Sequence, residues 1–170
     1  MERPASEEGN VRHAQRAWMV AVVLVILITG GLRFWEIGRE SLWFDEGYGA
    51  WVSGLSVGRI VDVISNDVSP PLYYLMLAGW REVFGETETG LRSMSAVAAC
   101  VALALMGMTM WQMRRDWLAV FVAVGLFGVN VLQVQYAQEA RSYGMASMLA
   151  MAGFYGMVRR VQGSAAWLGF

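Results

Sequence analysis

The chain of 170 residues has no lysine, one cysteine, one histidine and three prolines. Each shortage removes a class of chemistry. Without lysine there is no Schiff-base nucleophile and no phosphate loop of the Gly-Lys type. A lone Cys100 in an apolar run forms neither an internal disulfide framework nor a cysteine zinc site. His13 lies in a polar N-terminal stretch and reads as a solvated residue, so a Ser-His-Asp triad lacks its base. The net charge of −1 gives no basic surface for nucleic acid. The chemistry has to come from carboxylates, arginines, hydroxyls and backbone.

What the chain does have is apolar surface. Its residues are 56% hydrophobic and its mean hydropathy is +0.42. That is too apolar for a soluble domain of this size and predicts an all-α, multi-pass transmembrane bundle. Residues 1–16 read as a short, poorly ordered cytoplasmic tail. Four spans are expected, at about 18–35, 91–111, 117–134 and 143–158, from the length needed to cross roughly 30 Å at 1.5 Å per residue. A cleaved signal peptide is the competing reading of the first run, because Arg12 and Arg16 precede it. Its exit, Gly30-Gly31-Leu32-Arg33, has no small-x-small cleavage site. The closing stretch, Gly163 to Phe170, reads as the start of a further span and so as the mark of a truncated protein.

Pro70–Phe84 is apolar but short for a span. Charge arbitrates. Arginines cluster in the tail, at Arg114-Arg115 and at Arg159-Arg160. All three clusters fall on the cytoplasmic side only if Pro70–Phe84 does not cross, and positively charged loops favour that side. The segment is therefore expected as an interfacial helix within a large external loop at about 36–90. That loop is rich in acids: Glu36, Glu40, Asp45, Glu46, Asp62, Asp67, Glu82, Glu86 and Glu88. The connection Gln135–Arg141 is expected on the same face.

Three segments carry candidate chemistry. Ser41-Leu42-Trp43-Phe44-Asp45-Glu46-Gly47-Tyr48 sets two carboxylates among aromatics that suit a membrane boundary. Asp45 and Glu46 read as a general base and its orienting neighbour; equally, Asp45 reads as a helix N-cap. Ser69-Pro70-Pro71-Leu72-Tyr73-Tyr74 reads as a rigid helix start that presents Tyr73 and Tyr74 to a pocket, or as plain aromatic anchoring. Tyr136 to Tyr143 holds Glu139 and Arg141, either a cation ligand and a phosphate-binding fork or a local ion pair. Arg92 is a further candidate for anion contact, whereas Arg39 reads as pairing with loop acids.

Taken in order, Arg33-Phe34-Trp35, Glu40 to Glu46, Ser69 to Tyr74, Phe84-Gly85 with Gly90-Leu91-Arg92, and Tyr136 to Tyr143 resemble the N-terminal part of GT-C glycosyltransferases. The group most similar is the dolichyl-phosphate-mannose-protein mannosyltransferase-like and Rgt-like family of bacterial integral membrane enzymes. The resemblance implies a cell-membrane enzyme with its site on the external face. Such an enzyme takes a sugar from a polyprenyl-phosphate donor to a lipid, glycan or protein acceptor. It implies Asp45 as catalytic base, with Glu46 beside it. It implies Glu139 as metal or acceptor ligand, sharing a divalent cation (Mg or Mn) with Asp45, and Arg141 on the lipid phosphate; Tyr73, Tyr74 and Arg92 join it as substrate-binding candidates from their own segments. Family members run to several hundred residues, so 17–170 corresponds to a partial GT-C transmembrane domain. Two alternatives stay open: a small transporter, which requires ionisable groups inside the spans, and a non-catalytic membrane scaffold.

Overall fold

The computed structural model describes residues 5–66 and 69–167, with side chains described over 13–66 and 69–163. All regular structure among the described residues is helical: α1 (Ala5–Phe34), α2 (Phe44–Ser53), α3 (Val57–Ser65), α4 (Pro71–Phe84), α5 (Glu88–Arg114), α6 (Trp117–Gly128), α7 (Val131–Ala137) and α8 (Tyr143–Trp167). Two helices are long and apolar enough to cross a membrane, His13–Phe34 and Glu88–Arg114, and the bent pair α6–α7 makes a third if counted as one span.

Helix α1 presents Val22, Thr29 and Arg33 inward at helical spacing, while Val20, Val23, Leu24, Leu27 and Ile28 stay exposed. An apolar face with no protein against it suits a lipid neighbour. The inward stripe packs on α6 and α5 through Val22, Leu103, Val120 and Val124. Helix α5 is central, touching α1, α4, α6, α7 and α8. Small residues allow close approach. A Cβ on Gly144 would stand 2.7 Å from the Ser95 carbonyl oxygen, and one on Gly128 would stand 2.8 Å from Thr29. Helix α8 is tied to α5 at both ends, where Ser95 Oγ donates to the Arg141 carbonyl (3.0 Å) and Gln162 Nε2 to the Gln112 carbonyl (2.8 Å). The two helices therefore run parallel over the length of α5.

A second cluster joins α2, α3 and α4 to the first turns of α5 and α8 through Val52, Ile60, Ile64, Leu77, Leu91, Met94 and Met145. The expected loop 36–90 is thus a small helical cap at the end of the bundle where α5 and α8 begin. Within it, α4 follows Pro71 as the proline pair dictates, and buries Tyr73, Tyr74 and Leu77.

Three expectations change. The span expected at 117–134 is broken by 60° between Gly128 and Val131. The cause is local: Asn130 Oδ1 accepts from the Gln133 N–H (3.2 Å) and starts a new helix. Helix α8 is continuous from Tyr143 to Trp167, which takes in residues 163–167 of the stretch read as the start of a further span. It does not meet the apolar criterion, because glycines, tyrosines and Arg159-Arg160 dilute it. The polar tail expected at 1–16 is helical from Ala5 onward. Residues 1–4, 168–170 and Asp67 lie outside the described residues.

Candidate functional site

The site is built around one buried ion pair. Glu46, in the first turn of α2, is fully buried, and Arg92, in the first turns of α5, nearly so. Arg92 Nε and Nη2 donate to Glu46 Oε1 (2.9 Å) and Oε2 (2.7 Å). Nη1 donates to the carbonyls of Ile37 (2.9 Å) and Glu40 (2.7 Å), and Nη2 also to that of Ser41 (3.2 Å). A guanidinium has five N–H donors, and five acceptors surround this one. Glu46 in turn accepts from the backbone N–H of Ala140 (2.7 Å) and Trp43 (3.3 Å). Burial alone would push the Glu46 carboxyl up. The hydrogen bonds from Arg92 and the Ala140 N–H, with the charge of Arg92, outweigh it and hold the carboxyl below its ordinary value.

This corrects two expectations. Arg92 has no donor left for a substrate anion, and Glu46 has no lone pair left for proton transfer. They are a clasp that fixes the 37–41 loop, α2, α5 and the 138–142 connection in one arrangement. The N-cap alternative for Asp45 also changes. Trp43 is the N-cap, and Glu46 reaches back to its N–H.

Asp45, one residue before the clasp, faces a cleft of about 360 Å³ bordered by Asp45, Ser69, Tyr73, Tyr74, Arg141 and Ser142. Arg141 Nη2 lies 3.2 Å from Asp45 Oδ2, with both side chains partly exposed. The Arg141 guanidinium also sits over the rings of Trp43 (5.1 Å) and Tyr143 (4.7 Å). Three helices begin at this cleft: α2 with Phe44 and Asp45, α4 just after Ser69, and α8 just after Ser142. No side chain caps α4, whereas Glu46 serves the start of α2. Helix starts carry partial positive charge from unpaired N–H groups, so together with Arg141 they favour an anion. The Tyr73 hydroxyl is buried, beside the Ser95 side chain. Burial pushes this phenol up, so it keeps its proton and can donate it.

Glu139 is elsewhere. It borders a different cleft, of about 420 Å³, with Trp35, Glu36, Arg39, Glu40 and Gln135, where Gln135 Nε2 donates to it (3.3 Å). Arg39 pairs with Glu36 (2.7 Å), as expected of it. Asp45 lines one cleft, and Glu139 lines the other together with the clasp residues Glu46 and Arg92. Asp45 and Glu139 therefore border different clefts, which lends no support to one pocket holding both acids or to a divalent cation shared between them. Among the described residues no three His, Cys, Asp or Glu side chains converge. The expected local pair of Glu139 with Arg141 is likewise replaced by Asp45 with Arg141.

The structure thus gathers Asp45, Arg141, Tyr73 and Tyr74 in one cleft, and puts Glu46 and Arg92 in the lining of the other, where they are held by each other. Sequence reasoning missed two contributors to the cleft and one buried arginine that borders neither cleft. Trp43 is the plate on which Arg141 lies, and its place beside Asp45 was the available signal. Ser95 tethers the Arg141 carbonyl from α5, with no sequence signal at all. Arg33 is fully buried near the end of α1, donating to the carbonyls of Thr29 (2.6 Å) and Gly128 (3.2 Å) while Nε and Nη2 have no partner. Comparisons with protein-family models, with curated proteins and with solved structures find no match to this chain.

Proposed function

We propose that the chain is a membrane glycosyltransferase, or the N-terminal part of one, that moves a sugar from a polyprenyl-phosphate donor to an acceptor hydroxyl. The acceptor is a lipid, glycan or protein at the outer face of the cell membrane. One observation carries the reading: a carboxylate, an aromatic-clamped arginine, a buried phenol and three helix starts share one cleft at the end of apolar helices. In this reading α1, α5, the α6–α7 pair and α8 cross the membrane, with Arg114-Arg115 and Arg159-Arg160 on the cytoplasmic side. The tie between Gln162 and Gln112 supports the two arginine groups sharing a side.

The chemistry follows from the cleft. The donor phosphate sits against Arg141 and the helix starts, with its lipid tail in the bilayer. Asp45 takes the acceptor's hydroxyl proton. The acceptor oxygen bonds to the anomeric carbon as the carbon–oxygen bond to phosphate breaks, and the electron pair leaves on the polyprenyl phosphate. Positive charge around that phosphate stabilises the leaving group. No metal enters this scheme, because Asp45 and Glu139 do not share a cleft.

The test is sugar transfer from radiolabelled polyprenyl-phosphate mannose and glucose in reconstituted membranes. Asp45→Asn should abolish transfer while the protein still inserts and folds. Full transfer by that variant would remove Asp45 as the base. A second reading, a non-catalytic membrane scaffold, is favoured by the separation of Asp45 from Glu139. It predicts no transfer by the unaltered chain from either donor.

A further inference from the structure

We infer that the Asp45–Arg141 ion pair is a latch that an incoming phosphate opens: the anion takes Arg141, and only then is the Asp45 carboxylate free to accept a proton. The inference rests on the proposed reading of this cleft and adds its regulation. Within the cleft, Asp45 is itself the anion beside Arg141, at 3.2 Å. The pair is partly solvated, with side-chain exposures of 43% and 29%, unlike the buried Glu46–Arg92 clasp next to it. A solvated pair is weak and exchangeable; a buried, fully hydrogen-bonded one is not. Two adjacent carboxylates in one helical turn are thus divided between a permanent partner and a replaceable one.

The arginine is built to change partners without moving far. Its guanidinium is held over Trp43 and Tyr143 whichever anion it serves. Its backbone is pinned, with its N–H donating to the Glu139 carbonyl (2.8 Å) and its carbonyl accepting from Ser95. A phosphate outcompetes the carboxylate because the uncapped start of α4 and the buried Tyr73 hydroxyl are further donors at the same cleft. One consequence is protective. A base that becomes available only with the anion in place does not activate a hydroxyl while the donor is absent.

The test is binding of dodecyl phosphate to the full chain in lipid nanodiscs by calorimetry, with dodecanol as the uncharged control. The latch predicts that Asp45→Asn binds dodecyl phosphate about two- to five-fold more tightly than the unaltered protein, the range set by the strength of a partly exposed ion pair. Arg141→Gln should bind it more weakly. Adding Asp45→Asn to Arg141→Gln should give no gain, since there is no longer a pair to break. A gain that persists without Arg141 would mean simple charge repulsion and would overturn the latch. Unchanged or weaker binding by Asp45→Asn would also overturn it, while leaving the anion cleft standing. No binding by the unaltered protein, or binding equal to dodecanol, would overturn both. Helical circular dichroism of each variant separates these outcomes from misfolding.

Discussion

Asp45 and Glu46 are neighbours in sequence with opposite roles, and the difference lies in what each carboxylate meets. Glu46 meets a guanidinium whose every donor is spoken for, and Asp45 meets a solvated arginine. Replacing Arg92 by Met leaves a buried carboxylate without its partner. We expect a loss of about 3–5 kcal/mol of stability, read by chemical unfolding in detergent. The pH dependence has a definite sign. Because the folded-state carboxyl of Glu46 is held below its ordinary value of 4.5, its contribution is fully present above that value. It is lost as pH falls through the folded-state value. Unfolding of the native protein should therefore become easier on acidification below about 4.5, and Glu46→Gln should flatten that part of the profile. At this scale the sequence was partly legible. Aromatic brackets marked Asp45 and Arg141, which do meet. Nothing local distinguished Glu46 from Asp45, because the partner that decides the matter is 46 positions away on another helix.

Helix boundaries followed local chemistry where that chemistry was strong. The proline pair set the start of α4, and the long apolar runs gave α1 and α5. The break between α6 and α7 escaped because hydropathy is blind to a single capping Asn130 in an apolar stretch. Packing between elements was not legible either, since close approach depends on which small residues face one another. Gly144 is the sharpest case. Gly144→Ala drives a methyl to 2.7 Å from the Ser95 backbone oxygen, which cannot rotate away. We expect α8 to shift at its start, with a cost of about 1–3 kcal/mol. Arg141 hangs between that start and Ser95, so the same variant should weaken dodecyl phosphate binding, although position 144 does not border the cleft. Gly153→Ala, where a Cβ meets nothing within 4 Å, is the control and should change neither property.

For the whole molecule, the all-helical class and the apolar spans were readable from composition and run length. The number of spans was not, because α8 owes its place to contact with α5 rather than to its own hydropathy. In the proposed topology such a helix crosses only beside a partner, so peptides of α8 alone should lie at the surface while peptides of α1 insert. Oriented circular dichroism in bilayers distinguishes the two. The account as a whole requires that the Asp45 cleft and the Arg114-Arg115 turn lie on opposite faces of the membrane, with the cleft outside. Single cysteines at 45, 139 and 114, in a Cys100→Ser background, can be treated in intact cells with a membrane-impermeant maleimide. Positions 45 and 139 should label and 114 should label only after lysis; labelling of 45 and 114 from the same side would contradict the account.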